Sequence, residues 1–245
     1  MNNRPTVGLV IVDTESYVLA NNAIQHCVNA YSFASVTVFT DQTSYWPQYK
    51  TVEIPKIATI EEYNRIMLGM VPQTAETDFV LVIQFDGFIL NGTAFVPNFF
   101  DFDYIGAVWP DYPFMRVGNG GFSWRSRKLL DAVMELAPLR PPGQAEDLFI
   151  CRTLRPLLEA RYGCVFADEG TARLFSYEIV PEVRPAFGFH GLFNLPLVYR
   201  DNLAYLVQHL PMRILQTRMA YLQYGVQQLT PEHQRAFAQL IGTQA

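Results

Sequence analysis

Basic clusters, paired cysteines and long apolar runs are all scarce in this chain, and each shortage argues against a class of protein. Only 18 of the 245 residues are Lys or Arg, against 23 Asp or Glu, for a net charge of −5, and the basic residues are scattered. A surface that tracks nucleic-acid phosphates needs clustered Lys and Arg, so no nucleic-acid partner is expected. Cys27, Cys151 and Cys164 are odd in number, far apart and free of any CxxC pair. They suggest neither a zinc site nor a disulfide framework, and each reads as a small buried hydrophobe in a reducing compartment. The longest apolar stretches fall short of the ~20 residues that span a bilayer, so no transmembrane segment is expected. Met1-Asn2-Asn3-Arg4-Pro5 leads straight into a strand-like run without a signal-peptide pattern. The expected location is therefore cytoplasmic, with a peripheral position at the inner membrane face as an extension of it. Asn91-Gly92-Thr93 matches a glycosylation sequon, which is accidental in a protein that is not secreted.

What the chain has in quantity is hydrophobic side chains, at 50%, and rings, with 18 Phe and 13 Tyr. That composition suits a large core in one globular domain, since single α/β domains commonly reach roughly 200–250 residues. Val7 to Val12 is a short apolar run read as a buried strand ending at Asp13. Leu19, Ala23, Cys27 and Tyr31 recur every four residues, as on one face of a helix. Val36 to Thr40 is a second strand, ending at Asp41. Thr59-Ile60-Glu61-Glu62 has capping-box spacing and opens a helix towards Met70. Phe79 to Ile83 is apolar on both faces, as a central parallel strand would be, and Tyr104 to Val108 is read as a fourth strand. Ser126 caps a helix with Leu129, Leu130, Val133, Met134 and Ala137 as its buried stripe, stopped by Pro138. Beyond residue 195 the pattern turns to amphipathic helix, the last one opening at Thr230-Pro231-Glu232.

Strand, helix, strand, helix, strand is the opening of a doubly wound sheet, in which ligands sit outside the carboxyl ends of the strands. Asp13, Asp41 and Asp86 each follow a strand and so share that edge, although Asp is also common in plain turns. Gln84-Phe85-Asp86 ends the most buried strand, where a carboxylate can hold Mg²⁺ or Mn²⁺ against phosphate oxygens. Val117-Gly118-Asn119-Gly120-Gly121-Phe122-Ser123-Trp124-Arg125 holds three glycines in four residues, the mark of a tight turn or a close approach to a ligand. It has neither the lysine of a P-loop nor GxGxxG spacing. Ala145-Glu146-Asp147 stands at a helix start, where acids complement the dipole. In the functional reading Asp147 is a general base and Glu146 orients an acceptor. Phe187-Gly188-Phe189-His190-Gly191 carries a histidine that can complete a metal shell begun by a carboxylate.

These four segments, in this order, resemble the plan of GT-A glycosyltransferases: a metal-binding DxD, a glycine loop, an acidic xED and a C-terminal histidine. More closely, the chain is similar to an uncharacterised bacterial family of glycosyltransferase-like domains. The matching stretches are Phe79 to Asp86, Phe102 to Pro110, Val117 to Arg127, Glu146 to Phe149, Ala172 to Glu178 and Phe187 to Gly191. The resemblance implies an α/β fold, a Rossmann-like mixed and mainly parallel sheet flanked by helices, over residues 1–195. A helical C-terminal extension, residues 196–245, would pack on the same domain. It also implies an enzyme that moves a sugar from a nucleotide-sugar donor to a hydroxyl acceptor, with inversion and metal assistance. A glycan or lipid-linked glycan in polysaccharide biosynthesis would be such an acceptor, and a homo-oligomer or larger glycosyltransferase assembly such an enzyme's setting. Asp86 would take the last acidic place of DxD, Asp147 the catalytic place and His190 the metal-histidine place, for Mn²⁺ or Mg²⁺. Gly120 and Gly121 would lie beside donor sugar or acceptor, and Val12, Asp13, Thr14 and Glu15 would embrace the nucleotide, with Asp41 and Gln84 nearby. Gln84 departs from the pattern, since it stands where DxD has an acid and brings no charge. A catalytically silent nucleotide-sugar-binding module is the competing reading, and nucleotidyl transfer ranks below both.

Overall fold

The structure is a computed structural model that describes residues 4–179 and 185–242. Met1 to Asn3, from the opening segment, and the last three residues of the expected extension lie outside the described residues. Six strands form one sheet: β1 (Val7–Val12), β2 (Ser35–Thr40), β3 (Lys50–Glu53), β4 (Phe79–Ile83), β5 (Tyr104–Ile105) and β6 (Ser123–Ser126). Their order is β3-β2-β1-β4-β6-β5. The first four are mutually parallel, with Leu9 level with both Val36 and Leu81. β1 and β4 are buried along their whole length, as strands covered on both faces must be.

The other half makes the sheet mixed, as the resemblance implied, through a strand at β6 that the sequence pattern did not mark. β6 runs antiparallel to β4, and β5 antiparallel to β6. The strand expected over Tyr104 to Val108 stops after two residues. At Gly106 the chain presses so closely on the returning loop that a Cβ would stand 1.7 Å from the Gly118 carbonyl oxygen. Val108 then makes only an isolated bridge to Val117. β3 and β6 carry little apolar alternation, the first because it is a half-exposed edge, the second because Ser123 and Arg125 are buried with polar partners.

Helices cover both faces. α1 (Tyr17–Ala30) buries Leu19, Ala20, Ala23, Ile24 and Cys27, and Tyr31 caps its end. α2 (Ile60–Arg65) opens on the capping box of Thr59 and Glu62, then passes through a wider turn, Ile66–Met70, into α3 (Val71–Thr74). α4 (Arg127–Leu136) buries Leu129, Leu130, Ala132, Val133 and Leu136, while the expected Met134 and Ala137 are only partly covered. α5 (Glu146–Leu148), α6 (Arg155–Tyr162) and α7 (Glu169–Phe175) follow, and a small parallel pair, β7 (Ser176–Tyr177) and β8 (Gly188–Phe189), crosses the end of the main sheet. The chain finishes in α8 (Leu195–Val198), α9 (Leu203–His209), α10 (Met212–Thr217), α11 (Met219–Val226) and α12 (Pro231–Gly242). Leu195, Leu206, Ile214, Leu222 and Phe237 from these helices belong to the same core cluster as β1 and β4. Rings fill the core beneath β8: Phe122 stacks on Phe175 at 4.9 Å, and Phe88 meets Phe189 edge-on at 4.8 Å. Cys27, Cys151 and Cys164 are free and buried. No described helix is long and apolar enough to cross a membrane.

Ser126 joins β6 to α4 by two bonds. Its Oγ accepts the Leu129 N–H at 3.1 Å and donates to the Asp103 carboxylate at 2.5 Å. Ser126→Ala should therefore cost about 1–2 kcal/mol, lowering the urea midpoint at an unchanged slope. A midpoint equal to the parent's would show that the cap contributes nothing.

Candidate active site

The end of β4 folds into a tight turn, with reciprocal backbone bonds between Gln84 and Gly87 at 3.1 and 3.0 Å. Phe85 and Asp86 stand at its tip. Because β6 runs opposite to β4, with Ser123 level with Val82, the glycine loop that feeds β6 arrives at this same edge. The antiparallel reversal, absent from the sequence reading, is what brings the loop to Asp86. The Gly191 N–H donates to the Asp86 carbonyl at 2.8 Å, fixing the His190 loop there as well.

Within the glycine loop the left-handed residue is Asn119, at φ 73°. Its carbonyl accepts the Tyr104 hydroxyl at 2.7 Å, and its side-chain oxygen accepts the Gly121 N–H at 2.9 Å. Gly120 and Gly121 are needed for the lack of a Cβ rather than for unusual φ. A Cβ on Gly120 would stand 2.1 Å from Glu146 Oε1, and one on Gly121 2.1 Å from His190 Nε2. Protein groups account for both close approaches.

Beneath the loop, Arg125 and Glu146 form a buried pair, only 1% and 3% exposed. The guanidinium donates to both carboxylate oxygens, at 3.0 and 2.9 Å, and through Nε to Ser123 Oγ at 3.0 Å. Burial works against the Arg125 charge, but Glu146 outweighs it and holds the group protonated. Glu146 was expected to orient an acceptor; both its oxygens are instead taken by Arg125. Its backbone N–H donates to Asn64 Oδ1 at 2.9 Å, tying α5 to α2.

Asp147, next in the chain, is partly buried with its carboxylate facing the loop. Oδ2 accepts the Gly120 N–H at 3.1 Å and Oδ1 the Leu148 N–H at 2.7 Å. Burial, then the charge of Glu146, push its carboxyl up to about 6 against the two N–H donors.

His190 stands between carboxylates. Nε2 lies 3.1 Å from Gln84 Oε1 and 3.7 Å from Asp86 Oδ1, so the structure unites two residues far apart in sequence. Nδ1 lies 2.8 Å from Asn119 Nδ2 and 3.2 Å from Glu178 Oε1. Burial pulls the imidazole down, yet Asp86 and then Glu178 outweigh it and raise it to about 9. Burial also raises the Asp86 carboxyl, which His190 partly opposes. Asp86 Oδ1 and Glu178 Oε2 are buried without a hydrogen-bond partner. Orphaned carboxylate oxygens beside an imidazole and an amide oxygen are a donor set that suits a divalent cation of the Mn²⁺ or Mg²⁺ kind. Among the described residues no group of three or more His, Cys, Asp or Glu side chains is set to hold a metal. Asp86 and the neutral Gln84 stand on the Nε2 side of the imidazole, and Glu178 on its Nδ1 side.

At the ends of β1 and β2 the acids hold loops. Asp13 Oδ1 accepts the N–H groups of Glu15 and Ser16 at 2.9 and 2.6 Å, and burial pushes the carboxyl up to about 6. Asp41 accepts the Tyr17 hydroxyl at 2.8 Å, and Thr14 Oγ1 the Ile57 N–H at 3.1 Å. Val12 is buried. Beside these loops lies a cleft of about 650 Å³, walled by Glu15, Lys56, Ile57, Thr59, Tyr63 and two tail residues, Arg213 and Arg218. The Tyr63 hydroxyl accepts from Gln84 Nε2 at 2.8 Å, so the cleft adjoins the Gln84–His190 cluster. Lys56, Tyr63, Arg213 and Arg218 were not singled out by sequence reasoning, since no local motif marks them, and Arg125 and Glu178 stood inside matching stretches without being given a role.

The chain belongs to the family described as "Protein of unknown function (DUF5672)", whose model matches residues 47–190. A comparison with curated proteins finds no match. Among solved structures, a glycosyltransferase involved in the glycosylation of the major capsid of PBCV-1 is similar at a TM-score of 0.53 and 14% identity, over 76% of this chain and 93% of that one. Glucosyl-3-phosphoglycerate synthase from Mycobacterium tuberculosis, solved with Mn²⁺, UDP and glucosyl-3-phosphoglycerate, gives 0.46 at 12% identity, over 84% and 80%. The mannosyltransferase PcManGT from Pyrobaculum calidifontis, solved with GDP-Man and Mn²⁺, gives 0.47 at 11%, over 99% and 75%. The first likeness shows the fold: a mixed, mainly parallel α/β sheet of the GT-A glycosyltransferase type.

Two outcomes follow from the buried charges. Since the native state holds the Asp147 proton more tightly than the unfolded chain, this group's contribution to stability is full below about pH 4 and is lost as pH rises through about 6. Asp147→Asn should then exceed the parent's stability at pH 7.5 by about 1–2 kcal/mol, the gap closing towards pH 4.5, as read by urea unfolding. A gap independent of pH would contradict the raised value. For the ion pair, Arg125→Met should cost about 3–5 kcal/mol by stranding Glu146, and adding Glu146→Leu should return much of it. Additive losses would mean that the two charges do not depend on each other.

Proposed function

We propose that the protein is a glycosyltransferase that moves a sugar from a nucleotide-sugar donor to a hydroxyl acceptor, with Asp147 as general base. The observation that carries this reading is the Asp147 carboxylate, presented beside the glycine loop at the strand edge with a value pushed up to about 6. Such a group is mostly ionised at neutral pH and still basic enough to take a hydroxyl proton. The shared fold with a capsid glycosyltransferase supports the class. In this mechanism the acceptor hydroxyl gives its proton to Asp147, and its oxygen attacks the anomeric carbon as the nucleoside diphosphate leaves from the opposite side, inverting the centre. Arg125 and Glu146 position Asp147 rather than touch substrate. Asp86, His190 and Gln84 would hold Mn²⁺ or Mg²⁺, which when bound supplies positive charge to the departing diphosphate. Val12 to Thr14, Asp41 and the adjoining cleft would take the nucleotide, with Glu15 at the rim of that cleft. The acceptor would be a glycan or lipid-linked glycan, handled in the cytoplasm or at the inner membrane face. Residues 1–195 would form the transferase domain and 196–245 its extension, alone or in an oligomer. The neutral Gln84 favours one competitor, a silent nucleotide-sugar-binding module.

Turnover separates the two. With the donor that gives the largest thermal shift in the presence of Mn²⁺, Asp147→Asn should lower kcat by roughly 10²–10⁴, read as release of nucleoside diphosphate, with donor affinity unchanged. A parent that binds donor yet neither hydrolyses nor transfers it across a wide acceptor panel would be the silent module. A variant as active as the parent would remove Asp147 from the chemistry.

A further inference from the structure

We propose that the C-terminal helices complete the donor cleft with a phosphate clamp, in which Arg213 exchanges Glu15 for the diphosphate of the bound nucleotide while Arg218 and Lys56 engage the same group. The proposal rests on the nucleotide-sugar reading above and assigns the part of the donor that the cleft recognises. Three of the cleft's walls are cationic, Lys56, Arg213 and Arg218, against the single carboxylate of Glu15. In a chain whose net charge is −5, that is a local reversal of sign, and a low-lying cavity focuses such a field on an incoming anion. The volume of about 650 Å³ suits a nucleotide-sized ligand.

Arg213 supplies the geometry. Its Nε lies 3.1 Å from both Glu15 oxygens and its NH2 group 2.6 Å from Oε2, the forked grip that guanidinium offers equally to carboxylate and phosphate. The pair is open to water, with 60% of the arginine side chain and 32% of the glutamate exposed, so it is weakly held and exchangeable. A diphosphate brings more charge than one carboxylate and can displace it. Glu15 is itself placed by its backbone N–H on Asp13, and Thr14 joins this loop to Ile57 on the opposite rim. Neither Lys56 nor Arg218 has an acidic partner among the described residues. Arg213 lies on α10 and Arg218 directly after it, both beyond the family match at residues 47–190. The tail would thus supply donor contacts that the matched segment does not contain.

The test is calorimetric titration of UDP, GDP, inorganic pyrophosphate and the matching nucleosides into the full-length parent, Arg213→Gln/Arg218→Gln, and Glu15→Gln. The double variant should bind the diphosphates and pyrophosphate about tenfold or more weakly, with nucleoside binding unmoved. Arg213→Lys/Arg218→Lys, which keeps the charge, should recover part of the loss and so exclude a folding defect. Glu15→Gln should tighten diphosphate binding several-fold, because it removes the competitor; weaker binding would make Glu15 a nucleotide contact and overturn the exchange. Parent-like diphosphate binding by the double variant overturns the clamp alone. A parent that binds neither nucleoside diphosphate nor pyrophosphate overturns the donor reading and the clamp with it. Loss of binding to phosphatidylglycerol vesicles, with diphosphate binding intact, would assign the cations to a lipid surface instead.

Discussion

Arg125 and Glu146 come from different segments, a strand of the sheet and the first turn of a helix, and neither charge is tenable in the interior without the other. Their pairing sets the distances on which the site depends. The carboxylate sits so close to the loop that position 120 has no room for a Cβ, and the guanidinium reaches the Gly120 carbonyl at 3.4 Å. Asp147 follows Glu146 directly, so fixing one fixes the other, and the charge of Glu146 helps raise the Asp147 carboxyl. Asn64 extends the arrangement to α2 by accepting the Glu146 N–H. One buried pair thus locates a strand, a loop, a helix start and the proposed base.

The same edge gathers like charges. Burial raises Asp13, Asp86 and Asp147 alike, and the charge of Asp86 adds to it at Asp13, that of Glu178 at Asp86 and that of Glu146 at Asp147. The charge of His190 opposes the shift at Asp86, and that of Arg125 the shift at Asp147. Such an edge is a poor choice for stability alone, and carboxylates left orphaned at Asp86 and Glu178 make it poorer. Groups held against their own preference cluster where a ligand or a cation completes them, and activity and stability then pull in opposite directions.

Much of this was legible from local pattern. β1, β2, β4, α1, the caps at Thr59 and Ser126, and the final helix at Pro231 all carry strong periodicity or a side-chain signature. β3 and β6 do not, because an exposed edge and a strand with buried Ser and Arg both break the apolar alternation that marks a strand. The reversal at β6 is a tertiary choice, invisible to propensity, and with it went the reason why the glycine loop meets Asp86. Site segments were readable in order, but their contacts were not. Glu146 looks like a dipole complement until Arg125 is seen against it, and Gly120 and Gly121 look like ligand-facing residues until protein atoms are found in their place. Lys56, Arg213 and Arg218 share one cleft only after folding.

Gln84 gains a physical reason from the same charges. Its amide is used at both ends, Nε2 donating to the Tyr63 hydroxyl and Oε1 lying against His190 Nε2. A carboxylate at this position would add a further negative charge within an edge that already holds Asp13, Asp86, Asp147 and Glu178, and would repel them. An amide keeps the oxygen beside His190 without the charge, and adds a donor that ties the cleft wall to the strand end. With one carboxylate and one imidazole nearby, that oxygen has less formal charge behind it than a second acid would give. The neutral residue therefore ties the strand end to its neighbours without adding to the negative charge of the edge, and that choice is set by the residues that surround it rather than by the motif in which it stands.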